Sequence, residues 1–399
     1  MRVLLAGTGG AAGWPEPGCR CASCRGAAAN GPVRAPSRFV IDGVLSLRAD
    51  EPNAAHEPRP PAAGAASGSL SGVRKPPTRR NGTHPRQGGQ GGEHPAGYRV
   101  LDVPGGWDIT GPDGERLLLA AGPGASPRPP GGAAAPHGTA PHGTAPYGIA
   151  LLDLLGDPAQ LGLLRARGLV TARTAVAAAF ADHRVASERE LERRCALWGA
   201  LVPRDGLGVA TSRLEENKEA SRPRRVLILG GARSGKSAEA ELRLAAEPDV
   251  SYVATGGHVP GDPEWAARVA AHRARRPAWW RTVETTDLAG QLATARGALL
   301  IDGIGTWLAA ALDGCGAWSG DPLAAGRLAE RTGELIAAWR RTGAYVVAVS
   351  DETGMGVIPQ TAAGRLFRDE LGRLNQALAA ESEETELVIA GRVVSLPLW

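Results

Sequence analysis

The chain has 399 residues and a formal net charge of +4, enough length for two ordinary domains, each able to bury a core without disulfide or metal staples. The positive excess is arginine scattered along the chain and not gathered into runs, a pattern that does not favour nucleic-acid binding, and no stretch offers the roughly 18 uninterrupted apolar residues of a membrane helix. Cysteines at 19, 21, 24, 195 and 315 form an odd set with three crowded together, which fits a reducing compartment better than a secreted disulfide framework, so a cytoplasmic protein is expected.

Taken in chain order, Arg2 to Ala6 reads as a first strand. Phe39 to Ile41 and Val44 to Leu47 read as a hairpin around Asp42-Gly43. From about 51 to 97 the composition collapses into Pro, Gly, Ala, Ser, Arg and His, with too few large apolar residues to offset the entropy of ordering, so a disordered insert is expected. A second hairpin pattern joins Tyr98 to Val103 with Arg116 to Ala120. A second low-complexity insert follows at about 122–148, where tandem Ala-Pro-His-Gly-Thr units place His137 and His142 as solvated linker histidines. Ile149 to Leu155 resumes the strand pattern, and Ser187 with Glu190 predicts a capped helix carrying Leu191, Cys195 and Leu197. The polar segment 211–224 is read as a linker between a domain at 1–210 and a second at 225–399.

Beyond the linker, apolar strands at Val226 to Leu229, Val250 to Ala254, Ala298 to Ile301, Tyr345 to Val349 and Leu387 to Ala390 alternate with helical patterns. This predicts an α/β domain with a mostly parallel sheet flanked by helices. Directly after the first of these strands comes Gly230-Gly231-Ala232-Arg233-Ser234-Gly235-Lys236-Ser237, then a run of good helix formers. That is the phosphate-loop pattern in the strand-loop-helix context it requires: glycines let backbone N–H groups curl inward onto phosphate oxygens, and the helix N-terminus adds partial positive charge. Lysine occurs only at 75, 218 and 236. Lys236 is expected to reach the β and γ phosphates of a nucleotide and Ser237 to ligate Mg2+, with Asp302 completing the magnesium site unless it merely caps the next helix.

Asp262-Pro263-Glu264 reads as a helix start, and the helix carries Arg268 and His272 on one face, followed by Arg273, Ala274, Arg275 and Arg276. An imidazole kept neutral among guanidinium groups suits attack on an α-phosphate, although the same residues also read as a solvated basic helix face.

Read together, the phosphate loop, Tyr252-Val-Ala-Thr-Gly256, Ala267 to Pro277 with Trp280, Ser350 to Pro359 and Arg365 to Gln376 resemble the bifunctional adenosylcobinamide kinase / adenosylcobinamide-phosphate guanylyltransferase family of cobalamin biosynthesis. The resemblance implies a phosphate-loop α/β fold, usually a homotrimer, acting on adenosylcobinamide and then on adenosylcobinamide phosphate. It places the covalent guanylylated histidine on His272 and nucleotide contacts on Thr255, Gly256, Gly257, Arg273 to Arg276, Glu284 and Asp302. The chain departs from the family in having Asp351 and Thr353 where relatives often have Asn and Val, and in a short loop before Asp302. Two competing readings of the residues remain: a small-molecule kinase without a covalent step, and a nucleotide-sensing regulator.

The opening segments, Arg2 to Gly10 and Gly13 to Cys24, resemble the start of metallo-β-lactamase-fold hydrolases of the phosphodiesterase type. The His-x-His-x-Asp-His cluster of that fold's dinuclear centre does not occur, which implies a degenerate domain without hydrolase activity. Cys19, Cys21 and Cys24, read as one loop, either hold a structural Zn2+ with His183 as a candidate fourth ligand or remain reduced, unliganded thiols.

Overall fold

The computed structural model describes residues 1–48, 92–93, 97–103, 105–120, 145–210, 225–256, 270, 273–319 and 321–397. Most of the two low-complexity inserts, the linker 211–224, the helix start at Asp262, and the site residues Gly257 and His272 lie outside the described residues. Among those described, no helix is long and apolar enough to cross a membrane.

The front half contains β1 (Arg2–Gly7), α1 (Ala22–Asn30), β2 (Arg38–Ile41), β3 (Leu45–Arg48), β4 (Gly92–Glu93), β5 (Arg99–Val103), β6 (Gly106–Thr110) and β7 (Arg116–Ala120). It continues through β8 (Ile149–Leu152), α2 (Ala159–Ala166), β9 (Ala175–Ala178), α3 (Glu188–Leu197) and β10 (Leu207–Ala210). A four-stranded sheet, β10-β1-β2-β3, faces a six-stranded one, β4-β5-β6-β7-β8-β9. Alternation in β1 turns Val3 and Leu5 inward, where they meet Phe39, Ile41, Ile109, Leu117, Leu119, Ile149 and Leu151 between the sheets. The other face of the larger sheet, through Leu118, Ala120, Ala150 and Leu152, packs with Leu161 and Leu164 of α2 and Leu191 and Cys195 of α3. Strands β7 and β8 are therefore covered on both faces, and their unbroken apolar sequence follows from that.

Three expectations change here. The hairpin expected between Tyr98–Val103 and Arg116–Ala120 is a three-stranded meander, because β6 intervenes and pairs antiparallel with both neighbours. Residues near the C-terminal end of each insert belong to the fold. Gly92–Glu93 pairs with β5, and Tyr147 is buried under the Arg116 guanidinium at 4.2 Å while its hydroxyl hydrogen-bonds to Asp108 at 2.9 Å. The thiol segment is not all loop, since Cys24 lies in the first turn of α1 and Cys21 is its N-cap, with its sulfur accepting from the Cys24 N–H.

The back half is a seven-stranded sheet in the order β13-β12-β14-β15-β11-β16-β17, parallel except for the last strand. Its strands are β11 (Arg225–Gly230), β12 (Val250–Ala254), β13 (Arg281–Glu284), β14 (Ala298–Asp302), β15 (Val346–Asp351), β16 (Glu384–Ile389) and β17 (Arg392–Leu396). Helix α4 (Lys236–Leu244) covers one face, where Ala240 and Leu244 pack on Val226 and Ile228. Helices α5 (Leu288–Thr294), α6 (Ile304–Gly314), α7 (Ala324–Arg341) and α8 (Ala362–Ala380) cover the other through Leu227, Leu299, Ile301 and Val346. Helices on both faces of a parallel sheet match the expected fold class, with β13 and β17 added as edge strands.

A buried charge cluster fixes α4 to β16. Arg243 is 1% exposed, and it donates to both Glu384 oxygens at 2.9 and 2.8 Å and pairs with Glu386 at 2.7 Å. One guanidinium thus serves two carboxylates, a buried one at Glu386 and a half-buried one at Glu384, and desolvation pushes the Glu386 carboxyl up to about 7. A carboxyl raised above its unfolded value contributes stability at acid pH that is lost as pH rises through the folded value. Glu386→Gln should therefore gain about 2–4 °C in Tm over the native chain at about pH 8 and little or nothing at about pH 5. Calorimetry showing the same difference at both pH values would overturn this account.

Candidate active site

The phosphate loop lies where the sequence puts it, between the C-terminal end of β11 and the N-terminus of α4. Its path needs backbone that few residues supply. Gly235 adopts φ 102° and Arg233 φ 57°, and a Cβ on Gly230 would stand 2.5 Å from Ser234 Oγ and 2.7 Å from the Val388 carbonyl oxygen. The Gly391 N–H donates to the Ser234 carbonyl at 2.8 Å, tying the loop to the turn between β16 and β17.

Strand register assembles the rest of the site at the C-terminal edge of the sheet, the edge on which ligands bind in folds of this class. Ala254 pairs with Glu284 on one side and Asp302 on the other, and Gly230 pairs with Asp351 and Val388. Ser237 Oγ donates to Asp302 Oδ1 at 3.2 Å, and the Tyr252 hydroxyl donates to Asp302 Oδ2 at 2.5 Å. Burial, reinforced by the Asp302 charge, keeps that phenol protonated. Asp302 is not a helix cap, because Gly303 occupies the N-cap of α6 and no side chain caps there. Thr255 is buried and donates to the Gly303 carbonyl at 2.6 Å, close to Thr306 Oγ1, so it shapes the turn beneath the site.

Lys236 Nζ lies 2.7 Å from Asp351 Oδ1 and donates to the Gly231 carbonyl at 3.1 Å. The main chain beside Asp351 is fixed by the Asn375 amide, which donates to its carbonyl at 3.1 Å, and by the Glu352 N–H, which donates to Gly230 at 3.1 Å. Of the arginines read as nucleotide contacts, Arg273 is exposed. Arg275 makes a two-point ion pair with Glu241 of α4 at 2.9 and 3.2 Å, and Arg276 stacks over the Tyr252 ring at 3.6 Å. Glu284 is exposed at the tip of β13, and Gly256 follows Thr255 at the same edge.

Sequence reasoning did not find the Asp351 and Tyr252 contacts. Both residues stand in the segments that carried the family resemblance, yet their roles depend on which strands become neighbours. In the front half, ligand atoms of Cys19, Cys24 and His183 lie within 4.8 Å of one another, the single such group among the described residues. Cys21 is exposed beside them at the cap of α1, and Glu16 takes His183 Nδ1 at 2.9 Å.

Residues 226–396 match the family model for cobinamide kinase / cobinamide phosphate guanyltransferase. The bifunctional adenosylcobalamin biosynthesis protein CobU of Salmonella typhimurium is 41% identical over 176 residues, spanning 42% of this chain and 96% of the relative. CobP of Pseudomonas aeruginosa, with the same descriptive name, is 45% identical over 173 residues, spanning 42% and 94%. CobU of Escherichia coli is 38% identical over 176 residues. With nearly the whole length of each of these relatives laid onto a back half that places a lysine, a serine and an aspartate around a phosphate loop, the chain belongs to the cobinamide kinase / cobinamide phosphate guanyltransferase family.

Proposed function

We propose that the back half performs two successive steps of cobalamin nucleotide-loop assembly. It phosphorylates adenosylcobinamide with ATP or GTP, then transfers GMP from GTP to that phosphate, giving adenosylcobinamide-GDP. The observation that carries this reading is the convergence of Lys236, Ser237 and Asp302 at the phosphate loop of a chain in this family.

In the first step the aminopropanol hydroxyl attacks the γ-phosphorus and releases its proton to solvent, the bond from that phosphorus to the bridging oxygen breaks, and the nucleoside diphosphate leaves. The N–H groups of the loop and Lys236 hold the charge that builds on the phosphates. Ser237 Oγ and Asp302 Oδ1, 3.2 Å apart, fit adjacent positions around Mg2+, which forms bonds of about 2.0–2.1 Å. Bound there, the ion would offset phosphate charge. Tyr252 holds the other oxygen of Asp302 and so fixes the direction in which the carboxylate points. Asp351, 2.7 Å from Lys236 Nζ, competes with a phosphate for that ammonium.

In the second step an imidazole nitrogen of His272 attacks the α-phosphorus of GTP, forming an N–P bond and releasing pyrophosphate. The phosphate oxygen of adenosylcobinamide phosphate then attacks the same phosphorus, the N–P bond breaks, and the histidine returns unchanged. His272 stands three and four residues before Arg275 and Arg276 in the sequence. Those arginines are tied to α4 through Glu241 and to Tyr252, the partner of Asp302, which supports a histidine facing the same nucleotide. The family's usual homotrimer is the expected assembly.

For the front half we propose a degenerate metallo-β-lactamase-like domain that retains a structural zinc. Two thiols and one imidazole gathered within 4.8 Å, with the exposed Cys21 next to them in sequence as a further thiol, suit a tetrahedral ion, and Glu16 on His183 Nδ1 leaves Nε2 for it. Burial pushes the Cys24 thiol up to about 11, so metal loading must release its proton and should weaken as pH falls.

Three outcomes test these readings. With α-labelled GTP, His272→Ala should accumulate no protein-bound label while still phosphorylating adenosylcobinamide, and label persisting on the variant would rule out the covalent role. Asp351→Asn removes a competitor for the lysine ammonium. With Asp351 open to solvent, such a half-exposed pair is worth about 1 kcal/mol, so nucleotide affinity should tighten by about two- to five-fold, and weaker binding would contradict the account. Metal analysis of protein purified without chelator should give about one zinc per chain, and a ratio near zero removes the zinc site.

A further inference from the structure

Helix α4 is only nine residues long, about 13 Å. Its first turn carries Lys236 and Ser237, so a tilt at its far end is felt at the phosphates. The flank of α4 and the turn that follows it are covered by the front half. Arg193 of α3 makes a two-point ion pair with Glu239, in the first turn of α4, at 2.8 and 3.2 Å. The indole N–H of buried Trp198 donates to the Leu242 carbonyl at 2.9 Å, in the last turn of α4. Arg165 of α2 donates to the Ala246 carbonyl at 3.0 Å and, with its other nitrogen, to the Trp198 carbonyl at 2.8 Å. These donors fix carbonyls at the end of α4 and in the turn after it, the Leu242 carbonyl also accepting from the Ala245 N–H at 3.3 Å. Ala246 is part of the front-half core, and Leu242 packs against that core. Gly162 of α2 approaches so closely that a Cβ there would stand 2.8 Å from the Ala245 carbonyl oxygen and 2.9 Å from that of Glu247.

We propose that the front half serves the nucleotide site as a positioning element. Arg193, acting through Glu239, sets the first turn of α4, while Trp198 and Arg165 hold the other end, so nucleotide binding and the order of α3 are thermodynamically linked. The electrostatic part is specific. Glu239 is 8% exposed and lies two residues after Ser237, so without Arg193 its charge would stand uncompensated beside the anion site. Linkage requires reciprocity: if the front half favours the α4 geometry that binds nucleotide, nucleotide must protect the front half.

This inference rests on the phosphate-loop reading, and the test separates the two. Binding of guanosine α,β-methylene triphosphate with Mg2+, which cannot release GMP, is measured by calorimetry on the full chain. Arg193→Gln should weaken binding about three- to ten-fold, and the same change made in a Glu239→Gln background should have little effect, because the charge to be offset is gone. Gly162→Ala, a steric wedge with no charge change, should weaken binding as well. In the native chain, amide hydrogen exchange across Glu188 to Leu197 should slow when the analogue is added. Arg193→Gln binding within two-fold of native, or exchange in α3 indifferent to nucleotide, overturns the proposal. Failure of the native chain to bind the analogue, or a Lys236→Ala variant that binds as well, defeats the phosphate-loop reading itself.

Discussion

A phosphate loop works only if a curled backbone and the first turn of a helix face the same anion, and in this protein that demand falls on a helix too short to hold itself in place. Isolated helices of this length are marginal in water, so the stability of α4 comes from tertiary contacts. Three sets of contacts supply it. Ala240 and Leu244 sit on the sheet, Arg243 is sunk into the carboxylates of β16, and α2 and α3 close over the remaining flank. The apolar contacts alone would leave the helix free to slide along its axis. The directional contacts, an ion pair at one end and two carbonyl caps at the other, oppose that sliding.

Asp302 links the loop to the rest of the edge. One of its oxygens accepts from Ser237 and the other from Tyr252, and Arg276 lies on the face of that tyrosine. Four residues from α4, β12, β14 and the segment after His272 thus form one chain of contacts, and the basic segment is joined to the magnesium-binding candidates through an aromatic ring. Such a chain of contacts holds the phosphate loop and the basic segment in a fixed relation.

What could be read from sequence was what the chemistry writes contiguously. The phosphate loop is eight consecutive residues whose types are dictated by backbone geometry, and Asp302 stands out as the acid that ends an apolar strand. Asp351 as a partner of Lys236 was invisible, because it depends on β15 lying beside β11 although about 120 residues separate them. Strand β6 escaped notice since Gly106-Trp-Asp-Ile-Thr110 carries a buried aspartate and a glycine that break the apolar alternation. Helix α1 escaped because alanine, glycine and cysteine give no apolar stripe. The polar edge strand β13 was missed for a similar reason, as its residues are half-buried or exposed.

Covering α4 from the front half has a steric corollary for assembly. The flank that holds Glu239 and Leu242 is filled by α2 and α3 of the same chain, with no gap at Gly162 for another body to enter. Copies of this protein that associate must meet on other surfaces. Any quaternary arrangement that requires this flank bare is barred to this chain.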